Sequence, residues 1–238
     1  MSTAIILAGG LGTRLRSVVA QLPKALAPIN GTPFLELQLI NLARKGITKF
    51  ILSLGYKAEL IRCYFGDSFR GIPIIYAIES APLGTGGAVR LAMEYVDDDF
   101  VFVCNGDTWL EFDMAIIQSA LSCKRSDRWL PALVAVHVDD CSRYGRVEIS
   151  ENIVTEFRSA TRSGPGFING GCYIFPRGLL SDYPLSKVFS LEDDFLASIS
   201  SKGKLFAFSS KGPFLDIGTP EDYAAAQLLL PRLLSLID

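Results

Sequence analysis

The chain has 238 residues, 49% of them hydrophobic, and a formal net charge of −2 from 23 Lys and Arg against 25 Asp and Glu. That length suits one large α/β domain or two small ones, and the near-neutral balance gives no general attraction to nucleic acid or to a membrane surface. No apolar run approaches the roughly 20 residues that span a bilayer, and two glycines end the first run too early for a signal peptide.

In chain order, AIILA (4–8) reads as a buried strand. Thr32-Pro33 reads as an N-cap and first helical position for FLELQLINLARKG, which Gly46 closes. KFILSLG (49–55) is a strand and AELIRCYFG (58–66) a helix; IPIIYAI (72–78) is a strand and GGAVRLAMEYV (86–96) a helix. FVFVCNGD (100–107) is a strand with a polar end, followed by the helix FDMAIIQSALSCK (112–124). Strand–helix alternation of this kind predicts an α/β fold with a mostly parallel sheet covered by helices on both faces. Beyond residue 130 the strand-like runs LVAVHV, GRVEIS, IVTEF and GCYIF are joined by shorter turns, which predicts antiparallel additions. LEDDFLASISSKG and PEDYAAAQLLLPRLLSLI are late helices, and the apolar excess of the last suits either packing on a second subunit as a homodimer or a core helix. With no linker and no repeat, residues 1–238 are expected to form one domain. Its nucleotide-binding half covers about 1–125 and its second-substrate half about 126–238.

Cys63, Cys104, Cys123, Cys141 and Cys172 are scattered without a CxxC pair, which predicts reduced thiols and a cytoplasmic protein. The lone histidine, His137, lies in apolar LPALVAVHV and is read as a core or sheet-edge residue. One histidine leaves little room for His-based acid–base catalysis or a His/Cys zinc site, whereas a hard cation on carboxylates stays open.

The loop AGGLGTRLR follows the first strand, on the sheet edge where open α/β sheets bind ligands. Glycines let backbone amides approach a phosphate or a base, and Arg14, Arg16 and Lys24 could neutralise a polyphosphate. A dinucleotide fingerprint would need glycine where Leu15 stands, and no Walker pattern occurs. Asp107 in VFVCNGDTW and Asp216 in FLDIGTP each follow an apolar run. As a pair they suit Mg²⁺, which keeps waters and bridges to phosphates; singly, each could cap a turn. The run Asp97-Asp98-Asp99 precedes a strand and is read as a solvated turn at the opposite edge.

LAGGLGTRLR…PKALAPI, with ESAPLGTGGA, NGD and DIGTP, resembles the signature of the sugar-1-phosphate nucleotidyltransferases over nearly the whole chain. The resemblance implies the Rossmann-like nucleotide-diphospho-sugar transferase fold. It implies Arg14, Lys24 and Asp107 as catalytic residues and Asp107 with Asp216 as Mg²⁺ ligands. Leu7, Ala8, Gly9, Gly10, Gly12 and Thr13 would line the nucleotide site, with Glu79, Gly84, Thr85, Gly87, Asn105 and Gly106. Tyr144, Gly145, Asn169, Gly170 and Glu192 would meet the sugar. Glu79 would read the base: its two acceptor oxygens match guanine N1–H and N2–H₂, whereas uracil and thymine offer one such donor.

Two positions depart from the pattern. Ser17 stands where many members have proline. Many members also carry Phe-x-Glu-Lys where this chain has Phe157-Arg158-Ser159-Ala160, so either Arg158 or Arg162 supplies the missing charge or sugar-phosphate binding is weakened. LGTGGA, NGDTW, RYGRV, GFINGGCY and FSLEDDF together are similar to the heptose 1-phosphate guanylyltransferases. The expected reaction is GTP plus D-glycero-D-manno-heptose 1-phosphate giving a GDP-sugar and pyrophosphate, a step toward cell-surface polysaccharide, with no nucleic-acid or membrane partner. The alternatives are a mannose or other hexose 1-phosphate guanylyl- or uridylyltransferase, and a non-catalytic subunit that senses a nucleotide sugar.

Overall fold

Strand β1 (Thr3–Leu7) shows no alternation because both of its faces are buried: Ala4 and Ile6 enter one apolar core and Ile5 the other. Each such fully buried isoleucine contributes roughly 1.5–3 kcal/mol relative to exposure. The computed structural model describes residues 2–15, 18–19, 21–122, 130–158 and 163–235. After β1 come β2 (Pro28–Ile29), β3 (Thr32–Pro33), α1 (Phe34–Arg44), β4 (Lys49–Leu54), α2 (Ala58–Phe65), β5 (Ser68–Phe69), β6 (Ile72–Ile78) and α3 (Gly84–Ala92). Then follow β7 (Phe100–Asn105), β8 (Thr108–Leu110), α4 (Met114–Ser122), β9 (Ala132–Val138), β10 (Arg146–Ser150), β11 (Ile153–Arg158) and β12 (Gly166–Pro176). A π-helical turn, Leu191–Leu196, runs into α5 (Ala197–Ser200), and β13 (Phe206–Ser210), β14 (Phe214–Asp216) and α6 (Pro220–Ser235) complete the described chain.

The ten-stranded sheet has the order β10-β11-β13-β9-β12-β7-β1-β4-β6-β5. Its first-half strands β6, β4, β1 and β7 are all parallel, and chain order reverses between β1 and β7. Such a reversal opens a crevice beyond the carboxyl ends of the two strands. Next to β7, β12 runs antiparallel, so its first half lies at that same edge. The expected antiparallel additions are present, apart from a parallel β9–β13 pair. Among the described residues, no helix is long and apolar enough to cross a membrane.

Some local expectations change. Thr32 and Pro33 pair with Ile29 and Pro28 instead of capping α1, which begins after Pro33 without a side-chain cap. Helix α3 starts at Gly84, two residues before the expected start at Gly86. His137 is exposed near the end of β9, edge-on to Phe167 at 5.4 Å. In α6, Tyr223, Ala226 and Leu230 enter a third core, while Leu228 and Leu229 are exposed. Cys123 lies outside the described residues.

The acidic run lies at the opposite edge, as expected, yet Asp98 is not simply solvated. Its Oδ2 accepts from Ser2 N at 2.8 Å, Ser2 Oγ at 2.8 Å and Thr3 N at 2.9 Å. Partial burial pushes this carboxyl up, but the bonds from Ser2 and Thr3 outweigh it and hold it below the ordinary range. A depressed carboxylate stabilises the fold above its unfolded pKa, and the contribution fades as pH falls through the folded value. Replacing Asp98 with Ala should cost about 1–3 kcal/mol near neutrality. The matching loss of melting temperature is about 2–4 °C per kcal/mol. The gap to the unmodified protein should close on acidification, which calorimetry from neutral to acid pH would test; a pH-independent gap would contradict the assignment.

Candidate active site

The crevice is closed at its base by pairing that continues past the end of β1. Gly106 N donates to Leu7 O at 2.9 Å, Ala8 N to Ser53 O at 2.8 Å and Tyr56 N to Gly9 O at 3.2 Å. A Cβ on Gly9 would fall 2.9 Å from Gly55 N, so this glycine lets two loops touch. A Cβ on Gly10 would meet nothing within 4 Å, and Gly10 is exposed. Gly12 has φ +57 and sits against Lys24 Cβ, at 3.0 Å from an added Cβ. Each glycine of the motif therefore has a different reason, and Gly10 is the one whose bare backbone faces open space. Thr13 and exposed Arg14 occupy a single helical turn anchored by buried Leu15. With Gly10, Gly12, Lys24 and Gly106 they line a cleft of about 180 Å³. Arg16 and Ser17 lie outside the described residues.

Lys24 joins the two halves of the chain. Its Nζ donates to Asp107 Oδ2 at 2.5 Å and lies 3.8 Å from Asp216 Oδ1. Asp107 is brought there by the turn after β7, and Asp216 by a short antiparallel ladder in which it faces Thr108. Ile217 N donates to Asp107 O at 3.0 Å, which locks the two turns together. Asp216 Oδ1 also accepts from Gly218 N at 2.5 Å, so it caps its turn while facing Lys24. Its carboxyl is held above the usual range by burial first and by the charge of Asp107 second, opposed by Lys24 and by the Gly218 N–H. Two carboxylates that repel across one ammonium fit a place for positive charge. Among the described residues, no group of three His, Cys, Asp or Glu side chains converges on a metal position, so an ion here would draw its remaining ligands from water and substrate.

A residue missed in the sequence supports this turn. Gln38 of α1 is buried, and its Nε2 donates to Asn105 O at 2.9 Å and to Thr108 O at 2.6 Å. A polar side chain inside the apolar run FLELQLINL was the available signal.

A second cleft, of about 550 Å³, shares Leu7, Gly10 and Asp107 with the first and extends over Asn105 to Glu79 and Glu192. The Glu79 carboxyl is raised by burial, against the pull of the Leu83 N–H that Oε2 accepts at 2.7 Å. Gly84 and Thr85 line this cleft, whereas Gly87 does not: a Cβ there would fall 2.7 Å from Lys187 O. At Gly86 an added Cβ would collide with the Phe189 ring at 2.1 Å. These glycines let the segment before Glu192 lie on α3.

On the second-substrate side, Asn169 and Gly170 lie where the β12–β9 register shifts, beside the end of β7. Gly170 is buried, and a Cβ on it would sit 2.7 Å from Val134 O, so its role is packing. Tyr144 packs edge-on against Phe214 at 5.4 Å, and Gly145 O accepts from Asn169 N at 3.2 Å. Arg158 ends β11, and nothing is described of its side chain; Ser159, Ala160 and Arg162 lie outside the described residues. Arg143, not singled out from sequence, donates to Asp222 Oδ1 at 3.0 Å, and Thr219 Oγ1 donates to Asp222 Oδ2 at 2.8 Å at the start of α6.

A glycine-bearing loop and a paired-carboxylate turn, meeting at the reversal point of a parallel sheet, define a nucleotide-handling site of the phosphoryl-transfer kind. The nucleotidyl transferase family model matches residues 3–232, and the chain belongs to that family. It is 41% identical over 224 residues to the D-glycero-alpha-D-manno-heptose 1-phosphate guanylyltransferase of Aneurinibacillus thermoaerophilus, covering 94% of this chain and 96% of that protein. A mannose-1-phosphate guanylyltransferase of Mycobacterium tuberculosis is 34% identical, the match spanning 96% of this chain and 64% of that longer protein. The crystal structure of HddC from Yersinia pseudotuberculosis superposes with a TM-score of 0.82 at 39% identity, covering 96% of this chain and 99% of that one. The same protein complexed with GMP-PN gives 0.80.

The glycine analysis makes a paired prediction. Gly9→Ala should lower the melting temperature by several degrees, because backbone stands in the way, at about 1–3 kcal/mol for such overpacking. Gly10→Ala should leave it within about 1 °C, as surface changes do. Thermal melts of both variants decide this; equal losses would remove the distinction.

Proposed function

We propose that the protein transfers GMP from GTP to a sugar 1-phosphate, D-glycero-α-D-manno-heptose 1-phosphate by preference, releasing pyrophosphate. The observation that carries this reading is Lys24 held between Asp107 and Asp216 beside the glycine loop. The names of the relatives at 41% identity support the choice of guanine and heptose.

In this reading a phosphate oxygen of the sugar 1-phosphate attacks the α-phosphorus in line. The bond to the bridging oxygen of the β-phosphate breaks, and pyrophosphate leaves. That nucleophile is already ionised at neutral pH, so no general base is required. Catalysis is positioning and charge neutralisation. Arg14 and the amides of Gly10 to Thr13 would hold the β- and γ-phosphates. Lys24 would turn from the carboxylates to the α-phosphate. Asp107 and Asp216 would hold Mg²⁺, whose role when bound is to neutralise charge on the phosphoryl oxygens.

Glu79 would accept from guanine. One of its oxygens already holds the Leu83 N–H, so the same carboxylate shapes the loop that receives the base. Asn169, Gly145 and Glu192 would meet the sugar, and Arg158 its phosphate. One domain over residues 1–238, a cytoplasmic location and a homodimer through exposed Leu228 and Leu229 of α6 belong to the same proposal.

Three experiments test it. Pyrophosphate release should require GTP, a sugar 1-phosphate and Mg²⁺ together, and chelation should abolish it. Lys24→Ala should lower kcat by at least ~100-fold, the scale set by removing one electrostatic donor, while the chain still melts cooperatively. Near-normal turnover by that variant would refute the role. Separately, ITP, which lacks the 2-amino group, should show a KM about tenfold above that of GTP, and Glu79→Gln should shrink the gap. An unchanged gap would remove Glu79 from base selection.

A further inference from the structure

We propose that Thr85 and Tyr173 are positioning residues for the Glu192 carboxylate, fixing it from two sides as an acceptor for paired sugar hydroxyls. This deepens the transferase reading above and rests on it for the identity of the ligand.

The argument is one of proton direction. Thr85 Oγ1 accepts from Leu191 N at 2.8 Å and donates to Glu192 Oε2 at 2.8 Å. Tyr173 OH accepts from Asn169 Nδ2 at 2.7 Å and donates to Glu192 Oε1 at 3.2 Å. The Asn169 orientation is set in turn, since its Oδ1 accepts from Gly171 N at 3.1 Å. A hydroxyl has one proton. The Leu191 and Asn169 N–H groups can only donate and a carboxylate can only accept, so each hydroxyl turns its proton toward Glu192. Tyr173 is fully buried, and burial, with the charge of Glu192 second, pushes its phenol well above its ordinary value, so it keeps that proton.

The consequence for binding is specific. Glu192 receives a donor on each oxygen, with Ser190 Oγ a longer second one on Oε2 at 3.5 Å, and lines the cleft. A carboxylate so fixed accepts from two neighbouring hydroxyls and repels a phosphate. Thr85, which the sequence pattern places with the nucleotide, therefore serves the sugar side. It also ties the first turn of α3 to the π-helical turn that carries Glu192.

The test uses Tyr173→Phe and Thr85→Val, which keep shape and delete one hydroxyl each, with Thr85→Ser as the conservative rescue. Initial rates are measured against GTP and against D-glycero-α-D-manno-heptose 1-phosphate and α-mannose 1-phosphate. Both deletions should raise KM for the sugar phosphate roughly tenfold, as expected for a hydrogen bond to a charged group, and leave KM for GTP within about twofold. Thr85→Ser should restore the sugar KM. An unchanged sugar KM, or a GTP KM that rises in step, would overturn the proposal. Amide exchange over Leu191–Leu196, read by mass spectrometry, is independent of turnover: it should quicken in Thr85→Val and not in Thr85→Ser. If the unmodified protein forms no pyrophosphate with any sugar 1-phosphate, the transferase reading falls. Quickened exchange would then still uphold the tie between Thr85 and the Glu192 turn, and unchanged exchange would overturn it.

Discussion

Two carboxylates that share one lysine ammonium are the constraint around which the rest is arranged. Like charges at about 4 Å cost on the order of 4 kcal/mol near a protein surface, so they do not converge without a reason. Here the convergence is built from backbone. The β7 turn presents Asp107, the β8–β14 ladder presents Asp216, and the Ile217-to-Asp107 bond joins them. Lys24 offsets the repulsion from a separate loop, which closes under Gly12 only because that residue lacks a Cβ and takes φ +57. The Asp216 carboxyl is raised by burial first and by the charge of Asp107 second. In the proposed reaction a nucleoside triphosphate with a divalent ion would bring both a cation for the carboxylates and the anions toward which Lys24 would turn.

The two halves of the chain are also bound to each other through α3. Arg90 donates to the carbonyls of Ser186 at 2.6 Å, Lys187 at 3.2 Å and Leu185 at 3.3 Å, and its guanidinium lies 4.9 Å from the centre of the Phe189 ring. Gly86 admits that ring, and Gly86 N donates to Phe189 O at 3.0 Å. Helix α3 is thus a rail on which the segment leading to Glu192 is laid. Leu83, just before its first turn, donates to Glu79 and shapes the other side of the same cleft. A shift of either segment moves the groups of both.

Much of this was legible in the sequence, and what was missed has a common physical origin. Runs buried on both faces, such as AIILA and FVFVC, announced the parallel strands, and the glycine loop and both aspartates stood out by residue type. The ladders β2–β3 and β8–β14 did not, because two or three residues carry no period, so Thr32 was read as a cap. Glycine was ambiguous in a different way. The run Gly84 to Gly87 fits a substrate-facing loop and fits a helix face pressed by Phe189 equally well, and only the packing partner separates the two. Tyr173 looked like ordinary core because it is core; its hydroxyl is its one polar atom, and no local pattern marks where that atom points. Gln38 was visible as an oddity in an apolar helix, but its purpose needed the turn it supports.

The absence of histidine from the cleft follows from the same economy of charge. A base is needed only when the nucleophile arrives protonated, and a sugar phosphate does not. What such a reaction demands is that anions be gathered and held in line, which calls for permanent cations, a metal and backbone amides. Groups that titrate near neutrality would add a pH dependence without adding a proton transfer. In this site the perturbed carboxyls, Asp216 and Glu79, are displaced chiefly by burial. Bound positive charge or N–H donors would lower both carboxyls again, so binding of such groups and ionisation of Asp216 and Glu79 favour each other.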